Sequence, residues 1–175
     1  MMRQSFRQVI DQLELLSKLR NFDPTVIGTP PLGIGLAESD IDVACYCAEL
    51  EELKAFATAE FSGYSKFRIQ DTVFQNQESV IVQFHALEWD FELFCQSTPT
   101  YQQWGVRHFK TEQRIFEIAP QLKAIVIKLK RSGLKTEPAI AKVLGLPGDP
   151  YAAILQLENV GDDQLKLMIS DRHHL

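Results

Sequence analysis

Apolar residues recur at three- and four-residue steps near the start of the chain. They stand at Phe6, Val9, Ile10, Leu13, Leu16 and Leu19. An α-helix turns once in 3.6 residues, so this spacing gathers the apolar side chains on one face. The sequence therefore predicts one amphipathic helix over residues 6–19, and the Asn-Phe-Asp-Pro run at residues 21–24 is expected to end it.

A strand, a loop and a second strand are predicted next. Residues 25–27 form a short β-type run that ends at Gly28, and residues 29–39 are rich in Gly and Pro, as is typical of a loop. From residue 40 onward, apolar and other positions alternate. A strand here sends Ile41 and Val43 into the core and places Asp40 and Asp42 on the opposite face.

The rest of the chain predicts more strands and then helices. A helix is expected over residues 49–61, and strands over about 66–74, 79–85 and 89–96, the last two forming a hairpin. After Pro99 the pattern predicts helices over 107–118, 121–131, 137–144 and 151–157. We therefore expect an α/β (α+β) chain with about five strands. Residues 1–98 form its core with an N-terminal helix, and residues 99–175 form a helical region packed on the same domain.

Composition narrows the possible partners and the compartment. The 175 residues include 18 Lys plus Arg against 23 Asp plus Glu, a balance that argues against a broad basic surface for nucleic acid. The start lacks a basic-then-apolar signal, and no apolar run approaches the roughly 20 residues of a membrane helix. Three cysteines without a CxxC motif favour a reducing compartment and argue against structural zinc. We expect a cytoplasmic protein that has no membrane partner.

Asp40 and Asp42 are the strongest candidates for chemistry. Two carboxylates on one strand face repel each other unless a cation lies between them, and Mg²⁺ or Mn²⁺ prefers such oxygen ligands. Gly28 lets the backbone approach a phosphate, and the hydroxyl of Thr29 adds to the amide donors of the loop. The arrangement is typical of phosphoryl or nucleotidyl transfer from a nucleoside triphosphate (NTP).

A third carboxylate is expected from a later strand. Asp90 and Glu92 are two residues apart and share a face of the strand over 89–96. Glu92 lies deeper in the apolar run and is preferred, and Asp90 stays as the alternative. The competing interpretation is that these acids are ordinary turn and surface residues, but their combination with the glycine loop makes that interpretation weaker.

Together, these residues resemble a known signature. The Gly28-Thr29 turn, the twelve positions from Gly28 to Asp40 and the Ser39-Asp40-Ile41-Asp42 element resemble the polymerase-beta-like nucleotidyltransferase superfamily. That superfamily has a Gly-Ser turn before Asp-x-Asp, and Thr29 keeps the hydroxyl of the serine. The resemblance implies that Asp40, Asp42 and Glu92 are catalytic metal ligands. It also implies that Ser39 joins Gly28 and Thr29 in binding the nucleotide.

More closely, the chain resembles a bacterial family of domains of unknown function that is grouped with those nucleotidyltransferases. The segments that carry this resemblance are 32–34, 38–42, 91–96, 101–112, 129–138 and 145–151. Cys95 stands where that family normally has Gly. The resemblance implies a mixed β-sheet flanked by helices.

Three further sites have competing interpretations. Arg107 and His108 begin a predicted helix, where they either bind a phosphate or face solvent. A basic cluster of Lys128, Lys130, Arg131 and Lys135 is more typical of a solvated helix face than of a triphosphate site. His85 lies in an apolar strand, where a hydrogen-bonded structural histidine is favoured over a general base.

The main functional hypothesis is a metal-dependent nucleotidyltransferase that transfers a nucleotidyl group from an NTP to an acceptor hydroxyl. The alternative is a non-catalytic nucleotide-binding or regulatory module, for example one related to toxin–antitoxin systems, that retains the fold. The sequence leaves open the acceptor, which of the NTPs is used, and the oligomeric state.

Overall fold

The computed structural model of the chain describes residues 3–170. Its internal contacts divide the chain into two compact units. The first unit contains the chain up to Pro30 together with Glu38–Val106, and the second contains Pro31–Ala37 and the chain from Arg107 onward. The division expected between residues 98 and 99 stays a prediction.

The first unit is built on a mixed sheet. Its strands are β1 (Thr25–Ile27), β2 (Ile41–Tyr46), β3 (Ser65–Phe74), β4 (Gln77–Ala86) and β5 (Trp89–Gln96). Within residues 3–170 they form one sheet in the order β1-β2-β5-β4-β3. The β2–β5 pair is parallel and the other pairs are antiparallel. The predicted mixed sheet of about five strands is confirmed.

Two tight turns fold the last three strands into consecutive hairpins. Gln75 and Asn76 join β3 to β4, and Leu87 and Glu88 join β4 to β5, all four with positive φ. Two consecutive residues with positive φ match the twist of antiparallel strands in such turns. The predicted β4–β5 hairpin is therefore confirmed.

Aromatic side chains fill the core on one face of this sheet. Helix α4 (Leu50–Phe61) contributes Phe61, whose ring stacks on Phe84 of β4, and that ring stacks on Phe91 of β5. Both centroid separations are 4.7 Å. The strand faces that bury these rings also bury Ile41 and Val43, so Asp42 lies on the opposite face.

The N-terminal segment is two helices, and the prediction of one helix over residues 6–19 was wrong. Helices α1 (Phe6–Gln12) and α2 (Leu15–Lys18) are separated where Glu14 adopts a left-handed conformation with φ 52°. The break changes which of the following apolar residues face the core. Leu15 becomes fully buried, whereas Leu16, which continues the stripe in an unbroken helix, is 38% exposed.

The loop expected over residues 29–39 begins with a one-turn helix, α3 (Thr29–Leu32). Its proline pair discourages a helix when read from the sequence. Proline is nevertheless tolerated in a first helical turn, because the N–H groups there have no partner within the helix. The rest of the predicted loop carries no helix or strand.

Helices form the remainder of the described chain. They are α5 (Trp104–Ile118), α6 (Leu122–Arg131), α7 (Thr136–Leu144), α8 (Pro150–Gln156) and α9 (Asp162–Ser170). The first four agree with prediction to within a few residues, and α9 was not predicted. Asp149 caps α8 by accepting a hydrogen bond from the Ala152 amide at 2.9 Å. None of the helices between residues 3 and 170 is long and apolar enough to cross a membrane.

Candidate functional site

Asp42 and Glu92 lie side by side on the face of the sheet opposite the aromatic core. Because β2 and β5 are parallel and adjacent, their register sets Asp42 directly opposite Glu92. The row continues through Gln83 on β4 to Arg68 on β3. The sequence-predicted pair is thus brought together, and the row extends on one side into two polar residues.

At Gly28 the backbone lies against the Asp42 carboxylate. It has φ +83°, a conformation that L side chains rarely adopt, and a Cβ at this position would overlap Asp42 Oδ2. From the sequence, Gly28 was expected to leave room for a phosphate. In the structure, the space that its missing side chain leaves is taken by a carboxylate oxygen.

Burial changes the acidity of Asp42. The side chain is largely removed from water, and this desolvation, reinforced by the charges of Asp40 and Glu92, raises the pKa of Asp42 to about 8. The metal-free carboxyl therefore carries its proton at neutral pH. A bound cation reverses this balance because it favours the ionised form.

Glu92 is held in place by the next strand. Gln83 Nε2 donates a hydrogen bond to Glu92 Oε2 at 2.7 Å, and Gln83 Oε1 in turn accepts one from Arg68 Nε. This chain fixes one oxygen of Glu92. Gln83 and Arg68 were not predicted from the sequence. Only the pairing of the strands places Gln83 opposite Glu92 and Arg68 opposite Gln83.

Asp90, the alternative third ligand, has other partners. Its Oδ1 lies 2.9 Å from Lys66 Nζ and 2.7 Å from His85 Nδ1. The Lys66 hydrogen bond is the main reason that the pKa of Asp90 lies below its usual value. The geometry thus favours Glu92 as the acid beside Asp42 and gives His85 a hydrogen-bonded role beside Asp90.

Hydroxyl groups close the loop that leads to Asp40. Thr29 Oγ1 and Ser39 Oγ are 3.1 Å apart, and the Arg3 guanidinium donates to Ser39 O at 2.9 Å. Asp40 stands directly before β2. The residues expected to bind nucleotide in this unit, Gly28, Thr29 and Ser39, therefore belong to one closed loop next to the aspartates.

These acids fit an oxygen-seeking divalent cation. Asp42 and Glu92 supply adjacent carboxylates, and Asp40 stands at the end of the segment that begins at Gly28. The oxygens of all three do not lie within 4.8 Å of one another. Binding one cation through all three therefore requires their side chains to turn toward each other.

Two cavities meet at Glu92. One, of about 590 Å³, is lined by Asp40, Asp90 and Glu92 and by the basic side chains of Lys66 and Arg68. The other, of about 300 Å³, is mainly apolar. Its lining includes Asp42, Glu92, Ile27, Phe74, Ile81 and Phe94. Glu92 thus borders both a charged and an apolar space.

Arg107 and His108 belong to the second unit. Arg107 forms an ion pair with Glu158, with 2.7 Å between Nη2 and Oε2. His108 is buried, and its ring lies edge-on to that of Tyr151. A phosphate-binding role for Arg107 requires the pair with Glu158 to open, and that role stays a prediction.

The fold is similar to that of terminal nucleotidyltransferases. A structure of Cid1, described as having RNA terminal uridylyl transferase activity, gives a TM-score of 0.54 at 12% identity, covering 85% of this chain and 45% of that chain. A cytoplasmic RNA terminal U-transferase gives 0.51 at 13% identity, covering 85% and 43%. A chain of the GLD-2/RNP-8 complex gives 0.50 at 12% identity, covering 85% and 50%.

At such low identity these similarities show the fold alone, and the chain spans half or less of each of these neighbours. They confirm the expected nucleotidyltransferase-like α/β fold. No curated protein matches the sequence. One family description, in contrast, matches residues 8–157, which is most of the chain. The chain therefore belongs to the family described as Domain of unknown function (DUF4269).

Proposed function

We propose that the protein is a metal-dependent nucleotidyltransferase that transfers a nucleotidyl group from an NTP to an acceptor hydroxyl. The observation that carries this proposal is the position of Asp42, opposite Glu92 and against the Gly28 backbone. The shared fold supports it. Neighbouring structures of Cid1 are described with Mg 3′-dATP and with MgGTP bound.

The three acids are proposed to bind the metal, and the loop is proposed to bind the phosphates. Asp40, Asp42 and Glu92 would hold Mg²⁺ or Mn²⁺, which would offset phosphate charge and make the attacking hydroxyl more acidic. The Gly28–Thr29 turn and Ser39 receive the β- and γ-phosphates. Before binding, the Thr29 and Ser39 hydroxyls bond to each other, so a phosphate replaces that contact with new hydrogen bonds.

Glu92 is the acid best placed to take the proton of the acceptor. In the transfer, the acceptor oxygen bonds to the α-phosphorus, the bond from that phosphorus to the pyrophosphate oxygen breaks, and the hydroxyl proton passes to a carboxylate. Glu92 borders both cavities, and Gln83 fixes one of its oxygens. Each carboxylate oxygen has two lone pairs, so Glu92 can hold the cation through one oxygen and accept the proton at the other.

The two cavities fit different parts of the substrates. The apolar one, with Phe74 and Phe94, fits a flat nucleobase. The larger one carries Lys66 and Arg68 beside Asp40 and fits an acceptor that has an anionic group. A nucleic-acid end has such a group, and so does a phosphorylated small molecule.

Transfer of label from the NTP to an acceptor tests the proposal. The full chain is incubated with Mg²⁺ and each α-labelled NTP, together with RNA oligonucleotides or with cell-extract fractions, and labelled acceptors are then identified. We expect label transfer in wild type and in Asp11→Asn, which alters an exposed aspartate of α1. Transfer should be lost in Asp40→Ala/Asp42→Ala, and transfer unchanged in that double variant would refute the proposed site.

The alternative function predicts a different outcome. A non-catalytic or regulatory module binds Mg·NTP through the same acids, but releases no pyrophosphate with any acceptor. Calorimetry that detects binding without turnover across all fractions would favour it.

We also propose a cytoplasmic location, because Cys45, Cys47 and Cys95 are buried thiols of the kind that a reducing compartment maintains.

A further inference from the structure

A second group of potential metal ligands lies in the helical unit. His108 and Glu112 are four residues apart on α5 and share one face of that helix, and Glu137 lies in the first turn of α7. One ligand atom from each side chain lies within 4.8 Å of the other two. The three residues thus converge from two helices.

Burial makes this convergence unusual. His108 is 6% exposed and Glu112 is 5% exposed. Glu112 Oε1 is removed from water and has no hydrogen-bond partner in the part of the chain that the structure describes. A buried carboxylate oxygen without a partner is unfavourable, so an internal acid of this kind needs an ion or a donor.

The surroundings of the two carboxylates disfavour their ionised forms. Burial raises the pKa of Glu112 and of Glu137, and the charges of nearby lysines, Lys130 for both acids and Lys135 for Glu137, oppose this shift only in part. A divalent cation would stabilise both carboxylates in their ionised forms.

We propose that His108, Glu112 and Glu137 bind one divalent first-row transition ion, with Zn²⁺ as the ion of choice. One nitrogen and two carboxylate donors suit Zn²⁺ better than Mg²⁺, which takes oxygen ligands almost exclusively. Three protein ligands leave a fourth position for water or for a small ligand. The ion would connect α5 to the first turn of α7, independently of the transfer reaction proposed above.

The test is a metal titration of the full chain after chelator treatment. The variant His173→Ala/His174→Ala is the starting protein, so that the terminal histidine pair does not bind zinc. We expect one equivalent of Zn²⁺ to bind, the melting temperature to rise, and Co²⁺ to give visible absorption bands of a nitrogen- and oxygen-ligated ion. The same results are expected after Asp42→Asn, which separates this site from the one on the sheet.

Matched variants of α5 decide whether these ligands are responsible. Glu112→Gln keeps the shape of the side chain and removes its charge, and it should weaken Zn²⁺ binding by more than the roughly 10- to 100-fold seen for outer-shell changes. Glu117→Gln, an exposed position on the same helix, should leave binding unchanged. Circular dichroism confirms that each variant is folded.

Two results would overturn the proposal. One is the absence of Zn²⁺ and Co²⁺ binding by the starting protein. The other is binding, or an increase in melting temperature, that Glu112→Gln leaves intact. Either result would mean that Glu112 is a buried acid with an internal role only.

Discussion

Replacing Asp42 with asparagine should stabilise the metal-free protein at neutral and alkaline pH. The folded protein raises the pKa of Asp42 from 3.8 to about 8, mainly because burial disfavours the charged form. Between these two values the unfolded chain is ionised while the folded chain keeps its proton. The contribution of Asp42 to stability is therefore complete below the lower pKa and is lost as the pH rises through the higher one.

The size of the effect follows from linkage. Each pH unit between the two pKa values lowers the free energy of unfolding by about 1.4 kcal/mol, or about 4 kcal/mol from pH 5 to pH 8. Asp42→Asn has no proton to lose, so its stability should lack this slope. Above about pH 8, where Asp42 is ionised in both states, the wild-type curve and the variant curve should run parallel.

Urea unfolding in chelator at several pH values between about 5 and 9 measures this difference. Asp11→Asn, which alters an exposed aspartate of α1, should retain the wild-type slope. If wild type and Asp42→Asn had the same pH dependence, the raised pKa and the burial that causes it would both be wrong.

Three other changes test separate parts of the account. Gly28→Ala combines a positive φ with a clash against Asp42, so it should destabilise the protein more than Gly133→Ala, where φ is +99° but the space is open and only conformational strain of roughly 1–2 kcal/mol is expected. Gly63→Ala has neither feature and should be nearly neutral. Equal urea midpoints for the three variants would contradict this explanation of Gly28. Gln83→Leu removes the donor to Glu92 and should lower Mg²⁺-dependent pyrophosphate release by roughly 10- to 100-fold without unfolding the sheet, and unchanged kinetics would show that Glu92 needs no such support. Asp149→Ala removes the cap of α8 and should lower stability by about 1 kcal/mol in thermal unfolding, whereas an unchanged melting temperature would show that the cap contributes nothing.

The sheet could be predicted because its signals are local. Alternation along β2 and β5 assigned each residue to a face, and the short run at residues 25–27 ended at a glycine. The placement of Glu92 opposite Asp42 needed one further fact, the parallel pairing of β2 and β5. Spacing along a single strand does not encode that pairing, so the sequence assigned the two acids to strand faces without showing that they lie opposite each other.

The missed features depend on contacts between distant residues or on conflicting local signals. No typical turn residue stands beside Glu14, so the sequence does not signal its left-handed conformation. The helix break is evident only in the structure, where Leu15 is buried and Leu16 is exposed. Helix α9 did have a signal, because Asp162 and Asp163 precede a short apolar repeat of the kind that begins a helix. The His108–Glu112 spacing was also visible, but only the fold brings Glu137 to it.

Binding of Mn²⁺ with a non-hydrolysable NTP tests the central claim most directly. Electron paramagnetic resonance counts the bound Mn²⁺, and the Glu112→Gln background removes the second metal group. In that background we predict nucleotide-dependent Mn²⁺ binding that Asp42→Asn and Glu92→Gln each abolish and that Asp11→Asn preserves. Mn²⁺ binding that persists in both Asp42→Asn and Glu92→Gln would contradict the claim that these two acids form the metal site.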